Sequence, residues 1–193
     1  MSRFYYWGPL LFHTKLKNDD LEKVKKLCNK NEDLNHRSKL AGHIYGEYVI
    51  DSKNLELILE EYFEDFRKTY QHWYDHYNDF YINSAWVNYM KKAEYNPIHT
   101  HDSCDLSAVL YLSIPDEIKK ENEAFEGNGN DRSGPGEINF IVGNHTRGFI
   151  TQKNFMPETG DMFIFPADLM HTVAPFKSDV ERVSVAFNMK YRL

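Results

Sequence analysis

Cysteine is scarce: Cys28 and Cys104 are the only two in 193 residues, and no short spacing joins them. A disulfide framework or a compact thiolate metal site is therefore excluded as the organising element, and free thiols in a reducing compartment are expected. No apolar run approaches the roughly 20 residues of a bilayer-spanning helix. The opening Met-Ser-Arg-Phe-Tyr-Tyr-Trp lacks the charged and apolar regions of a secretory leader. A soluble, intracellular (cytoplasmic) protein is the expectation. Excess positive charge is also missing, since 23 Lys and Arg against 29 Asp and Glu leave a formal net charge of −6. Such a chain has no electrostatic footprint for a phosphate backbone, so neither nucleic acid nor membrane is indicated as a partner. No internal repeat is apparent.

What the chain does have is aromatic and apolar bulk, 15% and 41% of residues, too much for disorder and enough for one packed domain over residues 1–193. Phe4 to Leu16 reads as an extended segment broken at Gly8-Pro9. Asn18 is placed to cap a short helix whose first turn carries Asp19, Asp20 and Glu22, with Leu21, Val24 and Leu27 on one stripe. The span from Asn29 to Glu47 shows no period and reads as polar loop, with His36 and His43 as exposed loop histidines. From Asn54 to Tyr77, Leu55, Ile58, Leu59, Tyr62, Phe63, Phe66, Tyr70 and Trp73 recur at steps of three and four, predicting a long helix with one buried face.

After Asn78 the pattern turns extended and stays so. Strands are predicted at about Tyr81–Met90, Tyr95–His101, Asp105–Ile114, Glu137–Val142, Gly148–Phe155, Asp161–Phe165, Met170–Pro175 and Arg182–Tyr191. The architecture this implies is α+β, mainly β: a jelly roll (about 81–191) braced by N-terminal helices (about 17–79). Residues 116–136, charged and then glycine-rich, read as a long loop of the kind that serves as a lid, a binding loop or a disordered insertion. In the last strand Arg182, Ser184, Ala186 and Asn188 share a polar face, and Val183, Val185, Phe187 and Met189 an apolar one. Ser107, Val109 and Tyr111 likewise oppose Leu106, Ala108, Leu110 and Leu112.

His99-Thr-His101 places two imidazoles on one side of a strand, with Cα atoms roughly 6.5 Å apart. Both can reach one metal ion, and His171, from a distant strand, can supply a third ligand while leaving positions open. Arg182 offers a planar fork for a carboxylate. Asn88 can point its amide into the same pocket, and His145 reads as an exposed turn residue.

Taken in order, Asn96-Pro-Ile-His-Thr-His, Leu106-Ser-Ala-Val-Leu-Tyr-Leu, Phe163-Ile-Phe-Pro-Ala-Asp-Leu-Met-His and Arg182-Val-Ser-Val-Ala-Phe-Asn resemble the iron(II)- and 2-oxoglutarate-dependent oxygenases of the prolyl-hydroxylase-like superfamily, over about the last 110 residues. The resemblance implies a double-stranded β-helix, Fe(II) and 2-oxoglutarate as cofactors, and O2 with an unidentified substrate as partners. It makes His99 and His171 metal ligands and Arg182 the grip on the distal carboxylate. Ser184 and Tyr111 assist it, and Ser107 and Asn188 are further candidates on the same faces. Most of that superfamily has His-x-Asp, whereas this chain has His101; Asp102 is the alternative second ligand, reachable through a bulge. A three-histidine cupin-like dioxygenase without 2-oxoglutarate, and a non-catalytic jelly-roll binding module, are the other readings.

Overall fold

The computed structural model describes residues 3–6, 10–74, 79–126, 133–143 and 152–192. Strands β1 (Arg3–Tyr6) and β2 (Leu10–Lys15) form an antiparallel pair. Helix α1 (Asn18–Leu27) follows, then two single 3₁₀ turns (Glu32–Leu34 and Arg37–Lys39) lead to β3 (Gly46–Val49) and the long α2 (Ser52–Tyr74). The β-rich part comprises β4 (Phe80–Met90), β5 (Asn96–His99), β6 (Leu106–Ser113), β7 (Ile138–Ile141), β8 (Gln152–Phe155), β9 (Asp161–Pro166), β10 (Met170–Val173) and β11 (Arg182–Tyr191). A third helix, α3 (Asp116–Glu123), stands where the sequence reads as loop. Its one fully buried residue, Ile118, is too little for a periodic signal.

The strands make two antiparallel sheets, one of seven in the order β1-β2-β9-β6-β11-β4-β3 and one of four in the order β5-β10-β7-β8. This is a jelly roll. Strand parity divides the large sheet as the alternation predicts. Leu106, Leu110, Val185, Phe187 and Met189 turn outward and join Leu21 and Val24 of α1 and Leu55, Leu59, Phe63 and Phe66 of α2 in one buried cluster. Tyr111, Phe163 and Phe165 turn inward and meet Ile138, Phe140, Leu169 and Val173 in a second cluster. The helices thus brace one face of the large sheet, leaving its other face free to enclose a site against the small sheet.

Two local expectations are corrected. Asn18 lies inside α1; Lys17 holds the cap position, and its backbone N–H donates to the Tyr62 hydroxyl of α2 (2.9 Å), which itself donates to Asp20 (3.0 Å). A cap supplied from another helix leaves no local signature. For α2, Asp51 Oδ1 accepts from the N–H groups of Lys53 and Asn54 (2.9 and 3.1 Å), so the helix starts ahead of Asn54. Residues 75–77 of the predicted helix, 148–151 of one predicted strand, 127–132 of the 116–136 loop, and His145 lie outside the described residues.

Phe63, 1% exposed, touches Phe80 and Phe187 with ring centroids 5.3 and 6.0 Å away. Phe63→Ala should therefore lower unfolding stability by about 3–5 kcal/mol, measured by chemical denaturation.

Candidate functional site

The bulged pairing of β10 with β5 sets His171 directly opposite His99 and then slips by one residue before Val173 meets Asn96. The side-chain ligand atoms of His99, His101 and His171 all lie within 4.8 Å of one another. His101 Nε2 and His171 Nε2 stand 3.2 Å apart. Two nitrogens about 2.1 Å from one ion, at angles between octahedral and tetrahedral, are roughly 3.0–3.4 Å apart. On the reverse side, His99 Nδ1 meets the Pro97 carbonyl (2.8 Å) and His171 Nδ1 that of Leu169 (2.9 Å). A carbonyl can only accept, so each Nδ1 carries the proton and each Nε2 presents its lone pair to the common centre. Asp102 is exposed on the cavity rim and lies outside this cluster.

Burial keeps all three imidazoles neutral. It pulls His171 down to about 3 and His101 to about 4, with neighbouring imidazoles adding to the shift, and it lowers His99 too. Phe165 and Phe140 back the His171 ring at 4.8 and 6.2 Å. A set of neutral nitrogen donors with Nε2 atoms turned together fits a divalent transition metal.

The facing wall belongs to β11 and its neighbours. Arg182 is 2% exposed; its guanidinium donates to the Gly136 carbonyl (3.0 Å) and lies 5.4 Å from the Tyr111 ring centre. Its Nε and the Tyr111 hydroxyl, both buried, have no hydrogen-bond partner. No carboxylate among the described residues pairs with it, and burial pulls its pKa down. Burial pushes the Tyr111 hydroxyl up to about 12. A buried cation with one unmet N–H of its own beside an unmet hydroxyl is costly unless an anion occupies the space, so this end fits one carboxylate of a dianion.

Ser184 pairs across the sheet with Tyr111 on one side and Asn88 on the other. Asn188 Oδ1 accepts from Ser107 Oγ (3.1 Å), two pleats further along β11. All of these except Tyr111 line a cavity of about 310 Å³, together with the three histidines and Trp86.

Two lining residues escape the sequence reading, and one is a correction. His36 is no exposed loop histidine: it is half-buried, lines the cavity and lies 5.6 Å from the Trp86 ring. Glu47 is 2% exposed on the inner face of β3. Both come from a span without period; the alternation of Glu47 with outward Tyr48 was the only available signal.

A family profile described as "Putative 2OG-Fe(II) oxygenase" matches residues 84–188, more than half of the chain. The chain belongs to the 2-oxoglutarate- and iron(II)-dependent oxygenases. Among solved structures, the oxygenase is similar to a Pseudomonas putida prolyl-4-hydroxylase (16% identity, 95% of this chain and 93% of that one, TM-score 0.61). It is also similar to the viral collagen prolyl hydroxylase of Paramecium Bursaria Chlorella virus-1, solved with 2-oxoglutarate (12%, 94% and 96%, 0.57). A third similar structure is HygX from Streptomyces hygroscopicus, solved with nickel, 2-oxoglutarate and hygromycin B (12%, 93% and 82%, 0.55). At these identities the likeness establishes the fold. No curated protein matches the sequence. Fe(II) and 2-oxoglutarate are thus the oxygenase's cofactors, and O2 and a substrate its reactants, which sets aside the keto-acid-independent and non-catalytic readings. Among the described residues no helix is long and apolar enough to cross a membrane.

The depressed histidines carry a pH signature. In the unfolded chain they take up protons near pH 6.5, while folded His101 and His171 refuse them until about 4 and 3. The metal-free oxygenase should therefore lose stability as pH falls below about 6.5. Thermal unfolding should show a shallower loss for His171→Asn than for the wild type over that window.

Proposed function

We propose that His99, His101 and His171 hold the iron, that Arg182 with Ser184 and Tyr111 grips the far carboxylate of 2-oxoglutarate, and that the oxygenase hydroxylates a substrate admitted to the same cavity. Ser107 and Asn188 flank the cosubstrate from the inner face of the large sheet. The observation that carries this reading is the buried guanidinium without a counter-charge among the described residues, set in the cavity that the three imidazoles share. Guanidinium donates two parallel hydrogen bonds to a carboxylate, a geometry that lysine lacks. The partnerless Tyr111 hydroxyl supplies one more donor to the same group.

When bound, iron and 2-oxoglutarate supply the oxidising chemistry, coupling decarboxylation of the keto-acid to succinate and CO2 with transfer of oxygen to the substrate. The chain's own residues hold, orient and shield. Three neutral imidazoles leave the metal's charge at +2, and the dianionic cosubstrate answers it together with Arg182; what supports His101 in the position where most relatives carry aspartate is its Nε2, 3.2 Å from that of His171. The Phe140 and Phe165 rings behind His171 exclude water from its far side. The Pro97 and Leu169 carbonyls fix the tautomers of His99 and His171.

An anaerobic titration with Fe(II) and 2-oxoglutarate should raise the weak visible charge-transfer band of the chelate. Its absence from folded, metal-loaded protein would sink the proposal. Arg182→Lys should still bind metal but need about tenfold or more 2-oxoglutarate to reach half-saturation of that band. Asp102→Asn should leave metal affinity almost unchanged, whereas His101→Ala should lower it by about 100-fold or more, as read by calorimetric titration; the reverse pattern would assign the position to Asp102.

A further inference from the structure

One row across the inner face of the large sheet runs Tyr111, Ser184, Asn88, Glu47, in β6, β11, β4 and β3. Its two ends differ in charge and demand. At the Tyr111 end are donors without acceptors, the place proposed for the cosubstrate carboxylate. At the Glu47 end are acceptors without donors: Glu47 Oε2 and Asn88 Oδ1 are both buried and unpartnered, in side chains 2% and 5% exposed. Three inter-strand steps of about 4.8 Å put the two ends roughly 14 Å apart.

2-Oxoglutarate cannot satisfy the Glu47 end, because a dianion only accepts hydrogen bonds. Among the described residues, the chain's own cations do not do so either. Arg37 lies over the exposed Tyr45 ring (3.7 Å) and Lys39 is exposed at the rim. Glu94, the neighbouring acid, is already met by the N–H groups of Tyr45 and Lys91 (3.2 and 2.7 Å). Burial first, then the Glu94 charge, pushes the Glu47 carboxyl up to about 7, with Arg37 opposing. Turning the Asn88 amide over would still leave Glu47 Oε2 an acceptor. One pleat along, Trp86 links this end to the histidines, with its ring 5.6 Å from His36 and 6.3 Å from His101.

We infer that Glu47, with Asn88, is the specificity-determining anchor for a substrate that carries a protonated amine or guanidinium, held while a neighbouring carbon faces the metal. This rests on the oxygenase reading of the cavity and adds the chemical class of the substrate. A cationic group brings both the counter-charge that holds a buried Glu47 ionised and the several N–H donors that two adjacent acceptors require.

The test uses the protein loaded with 2-oxoglutarate and zinc, a diamagnetic stand-in for iron, and follows the Trp86 indole N–H by NMR. The probes are n-butylguanidinium and its neutral counterpart pentanamide. The expected result is a saturable shift with the cation at about tenfold or more lower concentration than with pentanamide, and loss of that preference in Glu47→Gln. Equal responses to the two probes in the wild type would overturn the inference, as would an undiminished preference in Glu47→Gln. The wild-type comparison needs no variant to fold, and the two-dimensional amide spectrum of Glu47→Gln verifies its fold. A wild type that forms the iron chelate band yet shows no cation preference refutes this inference alone, whereas a missing band refutes the oxygenase assignment of the site.

Discussion

A guanidinium sealed from water with no carboxylate among the described residues to answer it is the constraint on which the rest of the site turns. Removing such a charge from water is costly, and one carbonyl contact from Gly136 does not offset it. Arg182 is held there because β11 is central in the large sheet, bonded on both sides to β4 and β6. The strand's outer residues, Val185, Phe187 and Met189, are locked into the helical brace. Parity then gives Arg182 no choice of face. Outward burial in one layer thus forces a cation into the cavity on the other.

The opposite wall works by similar means with different chemistry. The small sheet brings His99 and His171 into direct register, and the chain beyond β5 returns His101 to the same centre. Burial holds all three imidazoles in their neutral form, and backbone carbonyls orient two of them. Neither sheet holds a site alone. The small sheet presents lone pairs, the large one presents a positive charge, and the space between suits a small dianion bridging the two.

Much of this was legible in the order of residues. Alternation along residues 182–189 and 106–112 gave the faces correctly, and the spacing of Leu55, Leu59, Phe63 and Phe66 gave the brace. What stayed hidden has a common physical cause: it depends on partners far away in sequence. The α1 cap comes from Tyr62, 45 residues beyond Lys17. His36 owes its place to a backbone bond from its N–H to the Glu47 carbonyl (2.8 Å), and β3 is only four residues long. Helix α3 buries one residue, below what a period can reveal.

The span that carries His36 and Gly42 is tied to the barrel by a few backbone bonds and by Ile44, buried in the inner core cluster. Besides the His36 bond, His43 donates to the Tyr95 carbonyl (2.8 Å) and Asn35 bridges Tyr48. At Gly42 the fit against Asn96 is tight, since a Cβ there would come within 1.9 Å of the Asn96 amide oxygen. The proposed substrate anchor thus reaches the cavity from β3, the edge strand of the large sheet, while Arg182 sits on the interior strand β11. Such a division lets selection alter the cargo of the enzyme from the rim of the sheet, leaving the interior strand that holds Arg182 undisturbed.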